Sequence, residues 1–149
     1  KKEKEGPCNS QPRNGNRIGD IGHAVQAVAK RAGLGVVRDY TGHGIGRDMH
    51  EDPLVPNYGL KHIGARLVEG MVLAIEPMIT LGTHKTHVGR DGWLVVTQDG
   101  KPAAHFEKTV AITADGPVLV SVEHHEFLER QREHSDLDMP SGYAGGELR

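Results

Sequence analysis

The sequence is poor in cysteine, in aromatic residues and in net charge, and each shortage narrows the class of protein. Cys8 is the only cysteine among 149 residues, so no disulfide forms within the chain and a cytoplasmic location is expected. Aromatic residues make up 4% of the chain, so the core is expected to be aliphatic. The formal net charge of −2 argues against a nucleic-acid partner. No apolar run reaches the length of a membrane span, so no membrane partner is expected.

Composition divides the chain into three parts. Residues 1–12 are charged and then rich in turn formers, which predicts a flexible N-terminal tail. Residues 123–149 are charged and then rich in Gly and Ser, which predicts a disordered C-terminal tail. The domain is expected over residues 13–122. Because the first residue is Lys1 rather than Met, we expect a processed chain, a fragment or a partial record.

Hydrophobic periodicity predicts one helix and several strands. Apolar residues recur at three- and four-residue steps from Ile18 to Ala32, which is typical of an amphipathic helix. Asp20 falls in its first turn and Gly33 at its C-terminal stop. Strands are predicted over residues 34–40, 71–79, 92–97, 106–113 and 118–122, with turns at 99–100 and 115–116, and residues 41–70 are predicted to be mostly loop.

Two histidines mark the segment with the clearest chemical signal. His43 and His50 lie seven residues apart, and His43 stands between Gly42 and Gly44. Glycine lets the backbone bend tightly and approach a ligand closely. Histidine is a common metal ligand and the commonest proton-transfer group near neutral pH. The segment is therefore a candidate metal or catalytic site.

Two carboxylates lie in separate segments further along the chain. Glu76 interrupts an apolar run, where a lone buried carboxylate is costly unless it is paired or bound to a metal. Taken alone, Glu76 fits a structural carboxylate as well as a metal ligand. Glu107 precedes an alternating strand pattern, and by itself it fits a solvent-facing strand residue better than a ligand. One His and two Glu in three segments nevertheless make up most of a metal site.

These residues resemble the C-terminal half of a type I methionine aminopeptidase. The likeness runs from Asn14 to Leu119, and the sequence Gly-His-Gly-Ile-Gly-Arg-x-x-His-Glu-x-Pro, which begins at Gly42, points to type I. The resemblance implies an α+β fold: the C-terminal half of the pita-bread (creatinase/aminopeptidase) fold, a curved antiparallel sheet with a flanking helix. It also implies a metallo-exopeptidase that removes the N-terminal methionine of nascent polypeptides.

The resemblance assigns site roles to six residues. His43, Glu76 and Glu107 are the implied metal ligands, and Glu76 is also the implied general base. His50 is the implied catalytic and substrate-binding histidine, donating a hydrogen bond where negative charge develops. The methionine pocket is implied at Met49 and Trp93, although the residues alone favour ordinary core positions for both. The implied cofactors are divalent ions (Co, Mn, Fe, Ni or Zn), two per site in the complete enzyme.

The chain departs from the family pattern in its missing ligands. The family uses two further aspartates eleven residues apart, and no two aspartates here have that spacing. The substrate histidine of the N-terminal half is also absent, His105 replaces a usual Gln, and Lys108 replaces a usual His. Three interpretations follow: part of a methionine aminopeptidase, whose activity belongs to the complete protein; a non-catalytic pita-bread fragment that acts as a binding module; or a structural fragment that self-associates or needs the missing N-terminal half. We favour the first.

Overall fold

The computed structural model describes residues 12–121 of the chain. The tails predicted over residues 1–12 and 123–149 lie outside this range, apart from Pro12. The described part contains one helix and ten short strands: α1 (Ile18–Arg31), β1 (Gly35–Val36), β2 (Gly42–Ile45), β3 (Glu51–Val55), β4 (Val72–Ile75), β5 (Met78–Thr80), β6 (Thr86–Val88), β7 (Val95–Thr97), β8 (Ala103–His105), β9 (Lys108–Thr113) and β10 (Gly116–Leu119).

The predicted helix is confirmed, and its ends follow the expected signals. At its start the backbone N–H of Arg17 donates to Asp20 Oδ2 at 2.8 Å, which satisfies a donor that the helix leaves free. At its end Gly33 adopts φ +71°, a left-handed conformation that glycine reaches without strain. No helix in residues 12–121 combines the length and apolar character needed to cross a membrane.

The strands form three antiparallel sheets, and the helix packs against the largest of them. The five-stranded sheet has the order β10-β9-β4-β2-β3, the three-stranded sheet has the order β1-β5-β8, and β6 pairs with β7. The core joins the helix to the five-stranded sheet through Ile18, Ile21, Val55, Leu67, Leu73 and Ile112. Burying each such aliphatic side chain contributes about 1.5–3 kcal/mol.

The strand predicted over residues 71–79 is divided in two, which corrects the sequence interpretation. β4 and β5 belong to different sheets, and Glu76 and Pro77 lie in the break. Proline has no backbone N–H to donate, so the ladder cannot run through it unchanged. The register nevertheless continues on both sides, since Ile75 pairs with Lys108 and Met78 pairs with His105.

Other strand predictions need smaller corrections. The predicted strand 34–40 is reduced to β1, and the segment 41–70 contains β2 and β3. Predicted strands 92–97 and 106–113 begin later, at Val95 and Lys108, and strand 118–122 begins earlier, at Gly116. β6 and β8 were not predicted, because their three-residue segments are too short to show a period.

Candidate active site

Strand β2 brings His43 into the interior of the sheet. The residue is 7% exposed, and its Nδ1 lies 2.8 Å from the carbonyl oxygen of Gly44. A carbonyl only accepts, so Nδ1 donates, and in the neutral ring Nε2 carries the lone pair. A Cβ at Gly42 would collide with the carbonyl oxygen of Ala74 on β4. The close packing of β2 therefore depends on the glycines beside His43.

Glu76 lies next to His43 at the break between β4 and β5. Its Oε1 is 3.5 Å from His43 Nε2, and its side chain is 14% exposed. Its other oxygen, Oε2, is 3.2 Å from His105 Nε2. Asn57 Nδ2 donates to the Glu76 backbone carbonyl at 3.0 Å. The carboxylate is thus flanked by two imidazoles, and its backbone is held by a buried amide.

The strand register explains why His43 and Glu76 meet. His43 pairs with Ala74 across β2 and β4, and Ala74 lies two residues from Glu76, on the same face of its strand. The register of β4 with β9, extended by one residue beyond Ile75 and Lys108, sets Glu107 opposite Glu76. Glu107 itself is exposed. Its assignment as a ligand stays a prediction.

The ring of His50, from the segment between β2 and β3, lies against the ring of His43. The two ring centroids are 4.1 Å apart and the planes are tilted by 41°. The turn that carries His50 is tied by Glu51, whose Oε1 accepts the backbone N–H of Asp48 at 2.8 Å. Both histidines line an open cleft of about 380 Å³, together with Thr41, Glu51, Asp52 and Leu54.

Met49 and Trp93, the predicted methionine-pocket residues, lie on the surface of this structure. Their exposures are 74% and 88%. Asp91 Oδ1 accepts the backbone N–H groups of Trp93 at 3.1 Å and Leu94 at 3.0 Å. The hydrogen bond from Trp93, together with the one from Leu94, holds the pKa of Asp91 below its ordinary value. The loop that presents Trp93 is therefore ordered by Asp91, and the substrate role of Trp93 stays a prediction.

The donor chemistry of the site fits part of a metal centre. The Nε2 lone pair of His43 and Oε1 of Glu76 face each other, an arrangement that a cation between them would favour. Within residues 12–121, however, no group of three or more His, Cys, Asp or Glu side chains is arranged to hold a metal ion. The structure therefore brings two predicted ligands together and does not gather the third.

Sequence reasoning did not find two partners of Glu76. His105 was noted only as a departure from the family pattern, and Asn57 was not singled out. Asn57 is 1% exposed, and its Oδ1 has no hydrogen-bond partner in the described structure. Both residues come from segments distant in sequence from Glu76, so their contacts with it follow from the strand pairing and not from a local sequence pattern.

Comparison with known proteins identifies the class of protein that this fold and site define. The chain belongs to metallopeptidase family M24, whose model matches residues 9–114. Membership of this family implies use of a divalent metal, as expected from the sequence.

Individual relatives narrow the class further. The chain is similar to the methionine aminopeptidase of Clostridium acetobutylicum, with 56% identity over 108 residues, 72% of this chain and 43% of that protein. Among solved structures it is similar to the methionine aminopeptidase of Thermotoga maritima, with a TM-score of 0.76 and 45% identity over 78% of this chain and 47% of that one. It is also similar to the methionine aminopeptidase of Rickettsia prowazekii, with a TM-score of 0.75 and 43% identity over 78% of this chain and 47% of that one. The resemblance and the partial pita-bread fold are confirmed, and the chain spans less than half the length of these relatives.

Proposed function

We propose that this chain is the C-terminal part of a methionine aminopeptidase that removes the N-terminal methionine of nascent polypeptides in the cytoplasm. The observation that carries the proposal is the contact of His43 Nε2 with Glu76 Oε1, 3.5 Å apart. The chain that makes this contact is 56% identical over 108 residues to the methionine aminopeptidase of Clostridium acetobutylicum. His43 lies on β2, and Glu76 directly follows β4, which pairs with β2, so the fold brings together two residues from distant parts of the sequence.

The residues that would hold metal are His43, Glu76 and Glu107. An imidazole and two carboxylates suit Co, Mn, Fe, Ni or Zn, and two such ions are proposed for the complete enzyme. When bound, such ions supply an activated water and polarise the scissile carbonyl. The register that sets Glu107 opposite Glu76 supports this assignment.

The remaining chemistry falls to Glu76 and His50. The Glu76 carboxylate is 14% exposed and contacts His43, which lines the cleft, so it can take a proton from an attacking water and return it to the leaving amine. His50 is exposed and its ring lies against that of His43, so it can donate a hydrogen bond to the amide oxygen as negative charge develops. The open cleft that His43 and His50 line leaves room for a peptide N-terminus.

Metal titration of the 149-residue chain tests the ligand assignment. Isothermal calorimetry with Co²⁺ is expected to show binding that His43→Ala weakens at least about tenfold, because an imidazole ligand is lost. His87→Ala is the matched control, since His87 is an exposed histidine on β6, and it is expected to leave the Kd unchanged. Equal Kd values for His43→Ala and the unmodified chain would contradict the assignment and favour a non-catalytic binding module.

A further inference from the structure

The Glu76 carboxylate has a second imidazole neighbour that the proposed function does not use. His105, the last residue of β8, places Nε2 3.2 Å from Glu76 Oε2. His105 pairs with Met78, two residues beyond Glu76, so it reaches the carboxylate diagonally across the two strands. His43 reaches the same carboxylate diagonally from the opposite neighbouring strand. Glu76 therefore lies between two imidazoles on one face.

The hydrogen positions make the two imidazoles unequal. Nδ1 of His43 donates to Gly44, so its neutral ring presents a lone pair, not a proton, to Glu76 Oε1. Among residues 12–121 the His105 ring has no hydrogen-bond or ion-pair partner other than Glu76, so no other partner holds the proton on Nδ1 and the ring can carry it on Nε2. With a proton on Nε2 the 3.2 Å contact is a hydrogen bond from His105 to the ionised carboxylate.

We propose that His105 is a positioning residue for Glu76. Its Nε2–H donates to Oε2 and fixes the rotation of the carboxylate, so that Oε1 turns toward the Nε2 lone pair of His43. This inference rests on the proposed function, in which Oε1 and His43 share a metal. Outer hydrogen bonds of this kind orient metal-binding carboxylates and raise metal affinity.

The geometry favours this role over that of a third metal ligand. The Nε2 atoms of His43 and His105 face different oxygens of Glu76, at 3.5 Å and 3.2 Å, rather than one common point. Across residues 12–121 no three such groups converge to hold an ion. A residue that donates a hydrogen bond without binding metal should therefore replace His105, and glutamine is such a residue.

The tautomer of His105 is measurable in the metal-free chain. Two-bond ¹H–¹⁵N correlation spectra of ¹⁵N-histidine-labelled protein, assigned with His105→Gln, are expected to show His105 protonated at Nε2. A His105 ring protonated only at Nδ1 would overturn the proposal, because no hydrogen bond to Glu76 could then exist. This readout needs neither metal nor activity.

The Co²⁺ affinity of His105 variants then distinguishes a residue that positions Glu76 from one that binds the metal itself. His105→Leu is expected to weaken the Co²⁺ Kd about tenfold, the lower end of the effect of such outer partners. His105→Gln is expected to stay within about threefold of the unmodified chain, since its amide N–H can donate in place of the imidazole. His87→Leu, an exposed strand histidine, is the control and should have no effect.

Three outcomes are decisive. An unchanged Kd in His105→Leu would overturn the proposal, and so would equal weakening by Leu and Gln, which would make His105 a ligand. If the unmodified chain binds no Co²⁺ while His105 is protonated at Nε2, the proposed metal function fails and the hydrogen bond to Glu76 stands. His105 is half exposed at a strand end, and circular dichroism checks that the variants fold.

Discussion

At the residue scale, Gly42 sets how closely the strand of His43 approaches its neighbours. A Cβ at this position would collide with the Ala74 carbonyl and press on the Val55 side chain. We expect Gly42→Ala to lower the free energy of unfolding by about 1–3 kcal/mol, the usual cost of overpacking. Urea denaturation measures the change. Gly100→Asn is the matched control, because Gly100 has open space and a left-handed φ of +69° that asparagine tolerates. Equal stability of the two variants would contradict the packing argument.

Asn57 holds the backbone of Glu76 by a hydrogen bond, and substitution can test how much this bond stabilises the fold. Its Nδ2 donates to the Glu76 carbonyl, while its Oδ1 has no hydrogen-bond partner among residues 12–121. Asn57→Leu leaves the Glu76 carbonyl without its donor, so we expect the free energy of unfolding to fall by about 1–3 kcal/mol. Asn57→Asp should cost more, because it buries an acceptor-only carboxylate against a carbonyl oxygen. Chemical denaturation at pH 7 measures the free energy of unfolding of both variants. An Asp variant as stable as the unmodified chain would contradict the expected order.

Residue types in the candidate site could be predicted from the sequence, but their partners could not. The glycines around His43 and the lone carboxylate of Glu76 were visible as local patterns. His105 and Asn57 contact Glu76 from 29 and 19 residues away in sequence. Such contacts depend on which strands pair and in which register, and a one-residue shift of β8 would turn the His105 side chain to the other face.

At the element scale, the N-terminus of α1 contains a buried carboxylate that ties two segments together. Asp20 is 4% exposed and accepts backbone N–H groups of Arg17 at 2.8 Å and His62 at 3.0 Å. Burial raises the pKa of Asp20, but these hydrogen bonds, with the charges of His62 and Lys61, outweigh it and leave the pKa below its ordinary value of 3.8.

This pKa shift predicts acid sensitivity of the helix start. A lowered pKa means that the ionised Asp20 stabilises the fold above pH 3.8, and that this stabilisation is lost as the pH falls through the lower folded value. We expect the unmodified chain to be more stable than Asp20→Asn at pH 6, and the difference to shrink steadily below about pH 4. Thermal unfolding of both proteins from pH 6 to pH 2 measures this. A difference independent of pH would show that Asp20 acts through shape alone.

Elements with a strong local signal were predicted, and short or glycine-rich ones were not. Helix α1 shows the helical period along its whole length, and its ends carry recognisable signals at Asp20 and Gly33. Strand β2 reads Gly-His-Gly-Ile, which has the turn-like composition of a loop. It becomes a strand because β3 and β4 pair with it on both sides, a tertiary effect that overrides propensity.

At the scale of the whole molecule, the chain carries only part of the ligand set that the resemblance implies. Within the described residues, His43 and Glu76 are in contact, and no three His, Cys, Asp or Glu side chains are arranged to hold one ion. We expect the chain to bind at most one divalent ion, and weakly, because two cations close together need more negative charge than one carboxylate pair provides. Calorimetric titration with Mn²⁺ measures the stoichiometry. Tight binding of two ions would show that the ligands present are sufficient.

Large apolar side chains remain on the surface of this partial fold. Leu54, Leu60 and Phe106 are 61%, 71% and 67% exposed, and β3 is an edge strand of the five-stranded sheet. Exposed apolar surface and an unpaired edge favour association. Since the chain spans 43% of the Clostridium acetobutylicum enzyme, we expect the rest of such a protein to cover this surface.

Activity is expected to require that missing part. We expect the purified chain to release no methionine from a Met-Ala-Ser peptide with Co²⁺ or Mn²⁺, because the water and the carbonyl are not both held by positioned cations. Mixing with the N-terminal half of a type I methionine aminopeptidase should restore release, and His43→Ala in this chain should abolish it, whereas His87→Ala should not. Substantial turnover by the chain alone, lost in His43→Ala, would show that fewer ligands suffice. No turnover in the mixture, with both halves folded and associated, would favour a binding fragment over a catalytic half.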